Sequence, residues 1–181
     1  MSAASALRDL APFDLLLAIE AQLRGGGDPP STAGADAWTG LGFRLRERWF
    51  AVPGDEVREV TGRPRLTRVP GAKPWLLGVA NVRGKLLTVT DLGGLLDCRA
   101  AGEARDQRVL VLDLDGLPAG FLVDEVAGQR RFVPEDQRPA ITAPAAFQPW
   151  RLGAFHREGR DWLVLSLTRL ARSERFIRAG H

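Results

Sequence analysis

Apolar residues in this chain come in short runs. From Trp38 onward they alternate or cluster over five to seven residues, as in Arg108 to Leu114 and Gly120 to Val126, with Gly, Pro and Asp groups between them. That pattern predicts strands and turns, an all-β body. Asp115-Gly116 lies between two β-rich runs and supplies the positive φ that a tight hairpin turn needs. Residues 7–24 (LRDLAPFDLLLAIEAQLR) instead predict a short helix with Pro12 near its start, although its apolar positions spread around the wheel. The stretch GGGDPPST, Gly25 to Thr32, cannot continue a helix and reads as a linker. The chain therefore divides into an amino-terminal helix and Gly/Pro linker over residues 1–37 and a body over residues 38–181.

The body also resembles itself. Offsetting the chain by 75 residues aligns 63–95 with 138–170 without a gap. Arg63-Pro64 falls over Arg138-Pro139, Pro74-Trp75 over Pro149-Trp150, Leu77-Gly78 over Leu152-Gly153, and Gly84 over Gly159. With Thr67/Thr142, Val89/Val164, Leu92/Leu167 and Leu95/Leu170 there are 11 identities in 33 positions, where roughly two or three arise by chance. A strand-rich unit of that length is the size of a small barrel, and closing a sheet on itself removes exposed edges. One such unit buries too little surface to be stable alone, so two should share an interface. A groove is expected where they meet.

Composition narrows the function. Lys+Arg number 25 against 22 Asp+Glu, a net charge of only +3 beneath a pI near 9.9, because all the cations but Lys73 and Lys85 are arginines. One cysteine, Cys98, excludes a disulfide framework and a cysteine-based zinc cluster, and fits a reducing cytoplasmic setting. The longest uncharged run, Pro139 to Trp150, contains three prolines, so direct membrane insertion is not expected. Arg8, Asp9 and Asp14 interrupt what would be the apolar part of a secretory signal.

Catalytic patterns fail one by one. A phosphate loop requires four residues between its first Gly and the Gly-Lys pair; Gly78 to Gly84-Lys85 has five, and Leu86 stands where a hydroxyl belongs. In Asp113-Leu114-Asp115-Gly116 the glycine arrives too early for a calcium loop. His181 is terminal, leaving His156 to carry any imidazole chemistry beside Arg157 and Glu158, which read as a solvated turn. Cys98 reads as a packing residue. Arg44, Arg46, Arg48 and Trp49 interleave cations with an aromatic ring, as a single-strand binder would, but Glu47 breaks the basic run. Neither an enzyme nor a cofactor site emerges, and nucleic acid is not the expected partner.

The two aligned copies differ where function can be sought: Asn81-Val82-Arg83 lies over His156-Arg157-Glu158, with the charge reversed at Arg83. Upstream, Val57 and Val60 frame Glu59, a partner for that arginine. The string LLGVANVRGKLLTVTDL (residues 76–92), preceded by FAVPGDEVREV and TRVPGAKPW and followed by RVLVLDLDGLPAGFLVDEV, resembles the CheW-like domain, the receptor-to-kinase adaptor of bacterial chemosensory arrays. The resemblance covers about residues 41–172. Its GFR start, GVANVRG wording, Trp75 and the FHRE of residues 155–158 are most similar to adaptors of the type IV pilus, twitching-motility pathway.

That resemblance implies two intertwined SH3-like five-stranded β-barrels packed together, with short helices, no catalytic activity and no cofactor. It implies a cytoplasmic protein recruited to membrane-associated arrays, touching both a methyl-accepting chemoreceptor tip and the regulatory domain of a CheA-like histidine kinase. The family's adaptor glutamate and arginine fall on Glu59 and Arg83, and its kinase-facing patch on Val57, Gly78, Asn81, Val82 and Gly84. Thr88 and Thr90 depart from the Pro and aliphatic usual in the following strand, and no receptor-groove residue is assigned. Arg83 is expected to hold the turn so that Val57 and Val82 present one apolar patch. The alternatives are an adaptor of a flagellar or other chemosensory pathway, and a small β-barrel nucleic-acid binder, whose affinity would fall steeply with salt.

Overall fold

The computed structural model describes residues 37–98 and 106–179. The expected helix over 7–24 and its linker lie outside the described residues. Among the described residues ten strands run in order: β1 (Trp38–Leu45), β2 (Arg48–Pro53), β3 (Glu59–Gly62), β4 (Leu76–Val82), β5 (Lys85–Asp91), β6 (Arg108–Leu114), β7 (Leu117–Val123), β8 (Glu125–Phe132), β9 (Arg151–Arg157) and β10 (Arg160–Leu165). Short helices α1 (Leu92–Leu95), α2 (Leu167–Ala171) and α3 (Glu174–Ile177) follow β5 and β10. The Asp115-Gly116 hairpin forms as its residues predict: Asp115 and Gly116 have φ of 53° and 89°, and Leu114 pairs with Leu117.

The strands make two five-stranded sheets, ordered β8-β1-β2-β10-β9 and β3-β6-β7-β5-β4. The two orders are the same arrangement with the chain halves exchanged. In each, a hairpin (β1–β2 or β6–β7) pairs in parallel with a later or earlier strand (β2 with β10, β7 with β5). An isolated bridge then draws the ends of each sheet together, Gln137 to Phe155 in the first barrel and Thr67 to Val79 in the second. This differs from a barrel folded from one 75-residue copy. The first barrel takes its hairpin from before β3 and its other strands from after β7, with the whole second barrel set between. The aligned segments themselves fold alike. Asp91 N–H donates to the Trp75 carbonyl at 2.8 Å and Ser166 N–H to the Trp150 carbonyl at 2.9 Å, and each bond precedes a short helix.

Alternation along the strands explains the apolar runs. In β2, Phe50 and Val52 face the seam between the barrels while Ala51 faces the first barrel's interior. In β6, Leu110 and Leu112 face the seam while Val109 and Val111 face the second barrel's interior. Both faces of these strands are buried, so both carry aliphatic or aromatic residues and no polar alternation appears. The seam core draws on both sheets through Phe43, Phe50, Phe121 and Leu163, and the 3-10 segment Ala145–Trp150 inserts Phe147 against Phe50, with ring centroids 5.1 Å apart. The expected groove between the barrels is, along this seam, a packed core. Inside the first barrel, Trp38, Phe132 and Phe155 stack with centroids 4.6 to 5.7 Å apart.

One carboxylate ties the two ends of the first barrel to each other. Glu56, in the turn after β2, accepts from Ser166 Oγ at 2.6 Å, Leu167 N–H at 2.7 Å and Thr168 N–H at 3.1 Å, capping α2 across 110 residues of chain. Burial raises its carboxyl above the ordinary 4.5, against the three hydrogen bonds that pull it down. Glu56→Ala strands those donors and should cost about 1–3 kcal/mol in a denaturant titration. The native state holds the Glu56 proton longer than the unfolded chain does. Stability therefore falls as pH rises from 4.5 through the raised native value. Glu56→Gln should flatten that part of the pH–stability curve, measured by thermal unfolding; a slope identical to that of the parent chain contradicts the assignment.

Candidate protein-interaction site

The β4–β5 hairpin builds the most distinctive surface on the second barrel. Val82 pairs with Lys85, leaving Arg83 and Gly84 as a two-residue turn with φ of 51° and 77°. Positive φ at both positions is the mirror-image turn that matches strand twist, and it is costly for a side chain such as arginine. Asn81 steadies it by accepting the Gly84 N–H on Oδ1 at 3.0 Å. The β9–β10 turn repeats this geometry at Glu158-Gly159, with φ of 53° and 71°, so the backbone shape is common to both barrels and the charge is not.

Arg83 reaches back from this turn and donates through Nη1 to Glu59 Oε2 at 2.7 Å, joining the hairpin to β3. Beside it Arg58 Nη1 donates to Asp113 Oδ2 at 2.6 Å. These two pairs edge a groove of about 240 Å³ lined by Val82, Leu87, Val111 and Pro118. Two leucines stand out near the same end of the sheet: Leu86 is 66% exposed and Leu117 75%. The parallel register that sets Thr88 beside Ala119 leads back to this pair. An apolar floor rimmed by charges, with two exposed leucines on the opposite face of the same sheet end, suits a protein surface.

The structure brings Glu59, Val82 and Arg83 to one groove and sets Asn81 and Gly84 in the turn beside it. Gly78 has a different role. It is buried in β4 at φ 143°, and a Cβ there would run into the Thr67 carbonyl, so close backbone packing requires glycine. Val57 is half-buried and packs on the seam core, whereas Val82 packs on the second barrel's inner core. They do not share the single exposed patch expected of them. Leu86 and Leu117 were missed because each sits in an apolar run that reads as strand interior. The available signal was period two: Leu87 and Val89 face inward, which turns Leu86 outward.

Two other candidates resolve simply. His156 Nδ1 lies 2.7 Å from Asp161 Oδ1, but His156 and Asp161 are cross-strand partners in β9–β10 and both are exposed, an ordinary surface pair. Cys98 packs against the seam core, where burial pushes its thiol up and away from the reactive thiolate.

Comparison with known proteins accords with this architecture. The family model described as the CheW-like domain matches residues 39–175. Protein PilI of Pseudomonas aeruginosa is 41% identical over 171 residues, 92% of this chain and 94% of that protein. Protein FrzA of Myxococcus xanthus is 30% identical over 138 residues, 74% and 84% of the two chains, and the chemotaxis protein CheW of Rhizobium meliloti 28% over 135, 74% and 87%. The scaffolding protein TtCheW of Thermoanaerobacter tengcongensis superposes with a TM-score of 0.69 at 20% identity, covering 81% of this chain and 96% of that one. With the family model spanning both barrels and relatives aligned along nearly the whole body, this chain belongs to the CheW-like domain family.

Proposed function

We propose that the chain is a non-enzymatic adaptor that couples methyl-accepting chemoreceptors to the regulatory domain of a CheA-like histidine kinase in the control of type IV pili and twitching motility. The pilus assignment rests on the higher identity with PilI, 41% against 28% for the Rhizobium CheW, and on its longer span. The kinase surface is the β4–β5 hairpin end of the second barrel, and the observation that carries it is the Arg83 to Glu59 pair closing the groove rim on one face of the sheet, with Leu86 and Leu117 exposed at the same end on the other face. Affinity comes from leucines that a partner covers, while the rim charges select the partner and fix its register.

Energetics separate the two roles. Arg83 is 81% exposed on its side chain, so the pair with Glu59 contributes about 0–1 kcal/mol to folding. Its function is to orient the hairpin. Arg83→Ala should therefore leave thermal unfolding within a few degrees of the parent while kinase activation in a reconstituted receptor array drops; full activation contradicts the reading. Leu86→Asp should reduce kinase capture at least about tenfold with the circular dichroism spectrum unchanged. Val57→Asp behaves differently, because it sets a carboxylate on the seam core. It should destabilise by about 1–3 kcal/mol in denaturant unfolding, whatever it does to binding.

A further inference from the structure

The charge of this chain is unevenly distributed. From Val60 to Thr90 there is no Asp or Glu, while Arg63, Arg65, Arg68, Lys73, Arg83 and Lys85 all fall there. The first part of that stretch links β3 to β4 and folds over the second barrel as a groove of about 620 Å³. Arg63, Arg68 and Lys73 line it above an apolar floor of Leu66, Val69 and Leu77. Leu66 and Leu77 are anchored on the barrel's inner core, and Val69 is 40% exposed.

The groove is held open by backbone contacts. Thr67 exchanges two hydrogen bonds with Val79, at 2.8 and 2.9 Å, and Lys73 N–H donates to the Ala179 carbonyl at 2.9 Å. Pro64, Pro70 and Pro74 restrict φ along the segment. Among the described residues its cations meet no carboxylate: Arg63 donates to the neutral Gln107 amide oxygen at 3.2 Å, and the side chains of Arg68 and Lys73 have no acceptor.

We propose that this groove docks an acidic amphipathic polypeptide segment, with aliphatic side chains on the Leu66–Val69–Leu77 floor and carboxylates at Arg63, Arg68 and Lys73. Charge complementarity selects an anion, and the apolar floor selects one with aliphatic anchors. No aromatic ring lines the groove to stack a base, which disfavours single-stranded nucleic acid. A concave floor disfavours a flat lipid surface. The groove shares no lining residue with the one at Glu59 and Arg83, so this site is distinct from the proposed kinase surface and does not depend on the adaptor reading.

The probe is a synthetic amphipathic helix of Glu and Leu, with a Lys and Leu twin, titrated into the full isotope-labelled chain. The acidic peptide should shift the amide resonances of Leu66, Val69, Ala72 and Leu77, bind more weakly as salt rises, and lose at least about tenfold in affinity on joint Arg68→Glu and Lys73→Glu substitution. Arg131→Glu, on the other sheet, should leave the affinity unchanged. If the charge-reversed chain fails to fold by circular dichroism, Arg68→Gln with Lys73→Gln carries the same comparison. Unmoved amides, equal binding by the twin or by the substituted chain, or tighter binding of oligothymidylate or phosphatidylglycerol vesicles through these residues would overturn the proposal.

Discussion

The packed seam between the two barrels is the constraint on which the rest depends. A barrel of five short strands buries too little apolar surface to stand alone. Here the strands at the junction are buried twice, once toward their own barrel's interior and once toward the neighbour, so the same residues serve two cores. Phe50 and Phe121, from different sheets, share one cluster, and Phe147 reaches it from outside both sheets. The domain behaves physically as one body with two lobes.

Connectivity reinforces this. Because β1 and β2 complete a barrel whose other strands follow β7, the first lobe closes only by joining segments that the whole second lobe separates in sequence. Glu56 fastens that closure, linking the turn after β2 to the helix after β10 through three hydrogen bonds. A carboxylate held against its own desolvation is a costly fastener. Its value lies in geometry, since one side chain satisfies two backbone donors and a hydroxyl at a helix start that would otherwise be orphaned.

Rigid lobes free the surface to specialise. Both barrels form the same positive-φ hairpin turn, yet one carries Arg83 and the other Glu158, so the fold prescribes the turn and leaves its charge to function. In the second lobe that charge closes the rim of a groove, and the carboxylate-free stretch beyond β3 makes a separate, more basic groove. Two grooves of different character thus sit on one small barrel.

Much of this was legible in the residues themselves. Short apolar runs, the Asp115-Gly116 turn and the GVANVRG wording specify an all-β body of this family, because strand period and turn chemistry are local properties. The Glu59 to Arg83 pair was suggested by the opposite signs of the two residues and by the family resemblance, and the structure joins them at 2.7 Å. What tertiary structure alone decided is non-local. Glu56 acts on Ser166, which is 110 residues away and carries no mark in either neighbourhood. Val57 belongs to the seam and Leu86 to the solvent, although both read as plain aliphatic residues, because burial depends on which strand comes to lie opposite. The exchange of hairpins between halves is invisible to any repeat, since two copies fold alike whether each closes on itself or on the other.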